Sequence, residues 1–181
     1  SVEEDIDCPR YSGGLITNVS VCPSPIWMQD RLIAAGQRPI NNLVDISNFV
    51  LLEFGQPTHI FDYDKLANKE ILVRRANKNE SIKTLDQNKF NLNNNHLLIT
   101  DGKNPIALAG IMGGSSSAVS DDTTNIFIES AYFNPVTIRK GSKDLSISTE
   151  ASKRFERGAD PEATVAAFWR VVNLIEECAN G

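Results

Sequence analysis

One of only two histidines in the chain lies in the run Gly55-Gln56-Pro57-Thr58-His59-Ile60-Phe61-Asp62-Tyr63-Asp64-Lys65-Leu66. Histidine is the side chain whose unperturbed pKa falls nearest neutrality, so His59 could move a proton at physiological pH. A single histidine more often only packs or bonds locally, so the run needs company. Glu129 supplies it. It interrupts the nearly continuous apolar run Ile126-Phe127-Ile128-Glu129-Ser130-Ala131-Tyr132-Phe133. A carboxylate in a buried strand is costly unless it is paired or used. It is either solvated at a sheet edge or lines a pocket, and its apolar flanks favour the pocket. If the strand alternates, Glu129 shares a face with Phe127 and Ala131.

Other groups carry weaker signals. Gly113-Gly114-Ser115-Ser116-Ser117 could bring backbone N–H groups close to a ligand. It lacks the Gly-Lys-Ser/Thr ending of a phosphate loop and reads first as a flexible hairpin connection. Asp62 and Asp64, two acids spaced i, i+2, are a weak cation signal. His96 falls among turn residues and reads as a polar residue at the surface, with no chemistry. There is no Cys/His metal set, no Gly-x-Ser-x-Gly elbow and no dinucleotide fingerprint. What remains is a cofactor-free, metal-free site of His59, Glu129, arginines and hydroxyls. Hydrolysis of an activated ester by a positioned water suits such a set, because it needs orientation and polarisation more than a strong nucleophile.

The bulk properties narrow the setting. A net charge of −5 over 181 residues argues against autonomous high-affinity nucleic-acid binding, which needs many Lys/Arg–phosphate contacts. It leaves room for an RNA substrate held mainly by another part of a larger protein. No apolar run approaches bilayer length, so no membrane partner is expected. Cys8, Cys22 and Cys178 form no CxxC pair and read as reduced thiols of a cytoplasmic protein. The chain opens on Ser rather than Met and is expected to be an excised domain spanning 1–181, with 1–9 an acidic lead-in.

The elements that must position these residues follow from pattern. Tyr11 to Val21 alternates like a strand. Ser24-Pro25 is a cap-plus-proline helix start, and that helix stops at Gly36. Leu43 to Phe54 has helical spacing and ends at Gly55. Glu70–Ala76, Leu97–Thr100 and Pro105–Ile111 read as strands, and Ser81–Leu92 as a hairpin around Asp86-Gln87-Asn88. Asn134-Pro135 opens another helix, Thr149–Gly158 a short charged one, and Asp160-Pro161 the last. The last helix would bury Val165, Phe168, Val172 and Ile175. Helices at both chain ends with strands between them give an α+β fold. Its sheet would be curved, mixed or antiparallel, with barrel-like closure as one form.

At this point several runs, in order, resemble one family. They are Pro25-Ile26-Trp27-Met28, Asn41-Asn42-Leu43-Val44-Asp45-Ile46-Ser47-Asn48-Phe49-Val50, Gly55-Gln56-Pro57-Thr58-His59-Ile60-Phe61-Asp62, Ala109-Gly110-Ile111-Met112-Gly113-Gly114 and Thr149-Glu150-Ala151-Ser152-Lys153-Arg154-Phe155-Glu156-Arg157-Gly158. The chain is similar, from about Arg10 to its end, to the central editing module of bacterial phenylalanyl-tRNA synthetase beta subunits. The resemblance implies proofreading, in which tyrosyl-tRNA made in error for phenylalanine is hydrolysed. It implies catalytic roles for His59, Thr149 and Glu129, and substrate contacts from Glu129, Gly113, Ala151 and Arg38. Glu129 would bind the tyrosine hydroxyl, Gly113 and Ala151 would leave room for the ring, and Arg38 would hold the terminal adenosine or its phosphate. The implied partners are the acceptor end of tRNA(Phe), the alpha subunit and the remaining beta-subunit domains in an alpha2-beta2 assembly. A non-catalytic tRNA-binding or structural module of the same synthetase is the competing reading.

Overall fold

The computed structural model describes residues 1–181. The first third of the chain gives β1 (Arg10–Ile16), α1 (Ile26–Ala34), α2 (Asn42–Phe54) and β2 (Thr58–Asp62). A middle group of short strands follows: β3 (Leu72–Arg75), β4 (Ser81–Lys83), β5 (Lys89–Asn91), β6 (Leu97–Thr100), β7 (Pro105–Leu108) and β8 (Met112–Gly113). Then come β9 (Ile126–Tyr132), α3 (Pro135–Leu145), α4 (Glu150–Arg157) and α5 (Ala163–Cys178). The expected α+β class holds. The strands form antiparallel sheets ordered β1-β9-β2, β3-β6-β7-β8 and β4-β5. None of these sheets closes into a barrel.

β9 is the strand on which the fold turns, because it is central in its sheet and buried on both faces. Its alternation sends Ile126 and Ile128 to one side, where Met28, Leu43, Ile46, Val50, Val171 and Ile175 from α1, α2 and α5 cover them. Phe127 and Ala131 face the other side and join a second core with Phe61, Leu98, Ile106, Leu108, Phe133 and Phe155. Period-2 alternation explains how one strand serves both cores. It also fixes Glu129 on the Phe127–Ala131 face, as alternation in the sequence requires.

Several local expectations shift for identifiable reasons. β1 ends at Ile16, well short of Val21, because Asn18 adopts a left-handed conformation at φ 62°. α1 begins after Pro25, but Ser24 does not cap it; the Ser24 hydroxyl donates instead to buried Asp45 on α2. The Gly55 stop is a left-handed C-cap at φ 69°, which glycine tolerates at no steric cost. On α5 the buried stripe is Thr164, Ala167, Val171, Leu174 and Ile175, while Val165 is exposed and Phe168 half-buried. The small residues set this helix down on the sheet, where Ser130 donates to the carbonyl of Thr164. The Phe168 ring lies against Gly14, where a Cβ would come within 2.7 Å of it.

Three more sequence readings change. His96 is buried: Nδ1 accepts from the Asn93 N–H at 3.1 Å, and Nε2 lies 3.7 Å from Asp144. The Gly113–Ser117 turn is ordered by Ser117, whose hydroxyl donates to the Ile106 carbonyl. The acidic lead-in is tied down, with Val2 bridging to Val73 and Asp7 paired with Arg75 and Thr137.

The helical layer is pinned by Asn42, which is fully buried. Its Nδ2 donates to the carbonyls of Ser20 and Cys178, and its Oδ1 accepts from the Cys22 N–H. One side chain thereby ties the segment after β1 to α2 and to the end of α5. Asn42→Ala leaves those backbone groups unpaired, and each orphan costs on the order of 1–3 kcal/mol. We expect a loss of about 3 kcal/mol in urea unfolding with the slope unchanged; a loss under about 1 kcal/mol would show that the knot is dispensable.

Candidate functional site

A cavity of about 490 Å³ opens between α2, β2, β9, the β7–β8 segment and the start of α4, within the usual range for a small-molecule site of ~300–1,000 Å³. Its walls are mainly apolar, and a few polar groups converge on it. The chain supplies those groups from distant places. His59 comes from β2, Glu129 from β9, Gly113 from β8, and Thr149 and Ala151 from the start of α4. Five of the six residues expected at the site therefore line one cavity. Arg38 does not. It is exposed on the α1–α2 connector, two residues before Ile40, which does line the cavity.

His59 and Glu129 sit directly opposite each other in the β2–β9 register. Opposed residues on an antiparallel pair share a face with Cβ atoms about 5 Å apart. On the other flank of β9 the residue opposite Glu129 is Gly13, which presents no side chain. Two residues along, opposite Ala131, Tyr11 reaches over and donates its hydroxyl to Glu129 Oε2 at 2.8 Å. Tyr11 is the contact of Glu129 that sequence reasoning misses. A tyrosine in an alternating strand carries no mark of its partner until the register is known.

Burial governs the electrostatics. Glu129 is almost wholly inaccessible, and desolvation raises its pKa from 4.5 to about 7, against the opposing effect of the Tyr11 hydrogen bond. Burial and the Glu129 charge push the Tyr11 phenol well above its usual value. Burial first, then the neighbouring carboxylates Glu129 and Asp7, push the nearby Cys8 thiol up to about 12. His59 moves the other way, to about 4, because burial penalises its cation. It is neutral at pH 7, and its Nε2 is buried with no partner in the protein. A weak, neutral, unpartnered ring nitrogen suits holding a water or a ligand hydroxyl better than taking a proton outright.

Gly113 is small for a reason the sequence did not indicate. A Cβ there would lie 2.6 Å from His59 Cε1 and 2.8 Å from Nε2. The imidazole rests on the glycine backbone on one side and meets Phe61 edge-on on another, with ring centroids 4.5 Å apart. Thr149 also has work beyond the cavity. Its hydroxyl accepts from the Ser152 N–H and donates to the Ile111 carbonyl at 2.8 Å. It thus caps α4 and ties that helix to the Gly110–Met112 turn. Ser152 completes a capping box by accepting from the Thr149 N–H. Ala151 is half-buried in the first helical turn, at the positive end of the helix dipole.

Asp62 and Asp64 are structural. Asp62 accepts from Thr123 and pairs with Lys65, and Asp64 accepts from Asn125. No group of three or more His, Cys, Asp or Glu is gathered as a metal site would need. No helix is long and apolar enough to cross a membrane, and all three cysteines are free.

The family model of the B3/4 domain matches residues 7–180, and the chain belongs to that family. Within it, the chain is homologous to phenylalanine–tRNA ligase beta subunits. It is 54% identical over 180 residues to the subunit of Geobacillus kaustophilus, covering 99% of this chain and 22% of that protein. It is 51% identical over 183 residues to that of Halalkalibacterium halodurans, covering 100% and 23%. The chain therefore spans between a fifth and a quarter of the relatives it matches. A crystal structure of an N-terminal fragment of the phenylalanyl-tRNA synthetase beta subunit from Pyrococcus horikoshii superposes with a TM-score of 0.53. It covers 83% of this chain and 47% of that one at 16% identity, a likeness of fold alone.

A raised carboxylate pKa means that the folded state holds its proton more tightly than the unfolded state does, so stability falls as pH rises from about 4.5 to about 7. A shift of that size corresponds to about 3 kcal/mol. His59 has the opposite slope, losing stability as pH falls from 6.5 to about 4. Glu129→Gln removes the first slope and leaves the second. The stability gain of Glu129→Gln over wild type should therefore grow between pH 4.5 and 7 and level off above it, as read by unfolding at several pH values. A gain independent of pH would mean that Glu129 is ionised normally.

Proposed function

We propose that residues 1–181 act as the proofreading domain of a larger phenylalanine–tRNA ligase beta subunit, hydrolysing the ester of tyrosine wrongly attached to tRNA(Phe). The observation that carries this reading is a buried carboxylate beside a neutral histidine on the wall of an apolar cavity. The family membership and the ligase relatives support it. The acceptor end of tRNA(Phe) brings the ester, and the alpha subunit and the other beta-subunit domains complete the alpha2-beta2 enzyme in the cytoplasm.

The chemistry needs no cofactor. The aromatic ring enters the apolar part of the cavity, and its hydroxyl meets Glu129, whose Oε2 already receives the Tyr11 hydrogen bond. Phenylalanine, lacking that hydroxyl, leaves the carboxylate desolvated with only the Tyr11 hydrogen bond; a site built to bond a hydroxyl discriminates by roughly 10⁴–10⁵-fold on this basis. His59 orients a water against the ester carbonyl. The water oxygen adds to the carbonyl carbon, the bond to the ribose oxygen breaks, and the water proton passes to that oxygen. Free tyrosine and uncharged tRNA leave. Thr149 positions α4, whose dipole faces the developing negative charge. Ala151 leaves space for the substrate, and Arg38 reaches the RNA at the rim.

The deciding assay is deacylation of mischarged tyrosyl-tRNA(Phe) by the intact ligase. Glu129→Ala should leave phenylalanine charging intact and lower tyrosyl ester hydrolysis by at least about 100-fold. An unchanged rate removes Glu129 from the mechanism, and an inactive wild-type enzyme leaves the non-catalytic reading.

His59→Ala should slow hydrolysis about tenfold or more. Gly113→Ala should slow it comparably by displacing the imidazole, and the two changes together should cost no more than either alone. Additive losses would mean that Gly113 serves the ligand and not the histidine.

A further inference from the structure

Charge on this acidic chain is segregated. Residues 135–158 hold six of its 18 Lys and Arg but only three of its 23 Asp and Glu, a net of +3 within a total of −5. The six cations lie on α3 and α4, which pack against each other. Of the six, only Lys153 forms an ion pair, with Glu150. Arg139, Lys140, Lys143, Arg154 and Arg157 are left without a carboxylate partner.

Between the two helices runs a polar groove of about 360 Å³. Arg139, Ser142, Lys143, Ser146, Ser148 and Ser152 line it, with Glu156 at its wall. Ser142 is only 7% exposed, and its hydroxyl has no hydrogen-bond partner. A buried hydroxyl left unpaired costs on the order of 1–3 kcal/mol, so a partner for it is expected from outside the chain. One Arg139 Nη donates to the Glu156 carbonyl, which holds the guanidinium across the groove. Two cations and several hydroxyls around a polar cleft suit a tetrahedral oxyanion with several acceptor oxygens.

α4 joins this groove to the cavity. It offers Glu150, Ala151 and Phe155 to the cavity, and Ser152 and Glu156 to the groove. α4 thus contributes residues to both openings. We propose that the α3–α4 groove binds a backbone phosphate of the RNA strand whose 3′ end delivers the ester to the cavity. The proposal rests on the editing reading for which RNA arrives, and the groove's own chemistry specifies the phosphate. Contacts of this kind set register without reading sequence.

The test uses the intact ligase with Arg139→Ala/Lys143→Ala, with Ser142→Ala, and with the control pair Lys78→Ala/Lys89→Ala, which removes equal charge from residues that do not line the groove. Binding of uncharged tRNA(Phe) is followed over a salt series, and hydrolysis of tyrosyl-tRNA and of tyrosyl-adenosine is measured separately. The Arg139/Lys143 pair should reduce the slope of log affinity on log salt by about 0.7, the value for one single-strand phosphate contact. It should raise KM for tyrosyl-tRNA about tenfold with kcat unchanged, and leave tyrosyl-adenosine hydrolysis as in wild type. Ser142→Ala should weaken tRNA binding severalfold without lowering Tm. Unchanged tRNA binding and KM in the groove variants, or an equal effect in the control pair, overturns the proposal. So does a fall in Tm of the intact enzyme with RNA affinity unaltered, which would identify a neighbouring protein domain as the occupant. Because binding is read on uncharged tRNA, an enzyme that fails to hydrolyse the ester overturns the editing reading and leaves the groove testable.

Discussion

The carboxylate of Glu129 occupies the central strand of a sheet that is covered on both faces, and the site depends on that burial. A charge there is disfavoured by desolvation, and the structure only partly offsets the penalty. Tyr11 donates one hydrogen bond, Gly13 opposite presents no side chain and gives its place to the Phe127 ring, and the remaining cost stands as a raised pKa. Strain of this sort persists where the surrounding fold over-determines the position. Here that support is the register of β1 and β2 on β9. A slip of one residue would turn Glu129 toward Ile60, Leu174 and Ile175 and expose Ile128 to the cavity.

The same register brings His59 beside Glu129, and a separate contact holds its ring. The imidazole lies on the bare backbone of Gly113, so the sheet containing β8 braces a side chain borne by the other sheet. Thr149 adds a third tie by bonding Ile111, near Gly113, to the cap of α4. The cavity is assembled from four separated parts of the chain, and each is fastened by ordinary structural bonds. Residues assigned to function thus also hold the geometry: Gly113 seats His59, and Thr149 seats α4.

Much was legible from local pattern. The cap-plus-proline at Asn134-Pro135, the glycine stop at Gly55 and the spacing of Leu43–Phe54 gave helices where they occur, because capping and amphipathicity act within a few residues. Glu129 was recognisable as an anomaly because a charge in an apolar strand carries its own cost wherever the strand lies. α5 was misphased because its apolar arc is wide, and only the seat of Thr164 and Ala167 on the sheet decides its centre. His96 was misread because a turn-rich neighbourhood does not reveal that neighbouring elements cover it. The groove between α3 and α4 was hidden in a net charge that averages the whole chain.

By itself, then, the sequence determined the α+β class, the order of elements, the suspect carboxylate and a histidine able to work with it. All of these rest on interactions between residues near one another in the chain. Only the tertiary structure decided that Tyr11 is the partner of Glu129, that Gly113 seats His59 and that Arg38 stands outside the cavity. It also set Arg139 and Lys143 of α3 on one groove beside α4. These facts depend on strand register and on contacts between residues far apart in sequence, and such pairings are settled by the burial of both cores together.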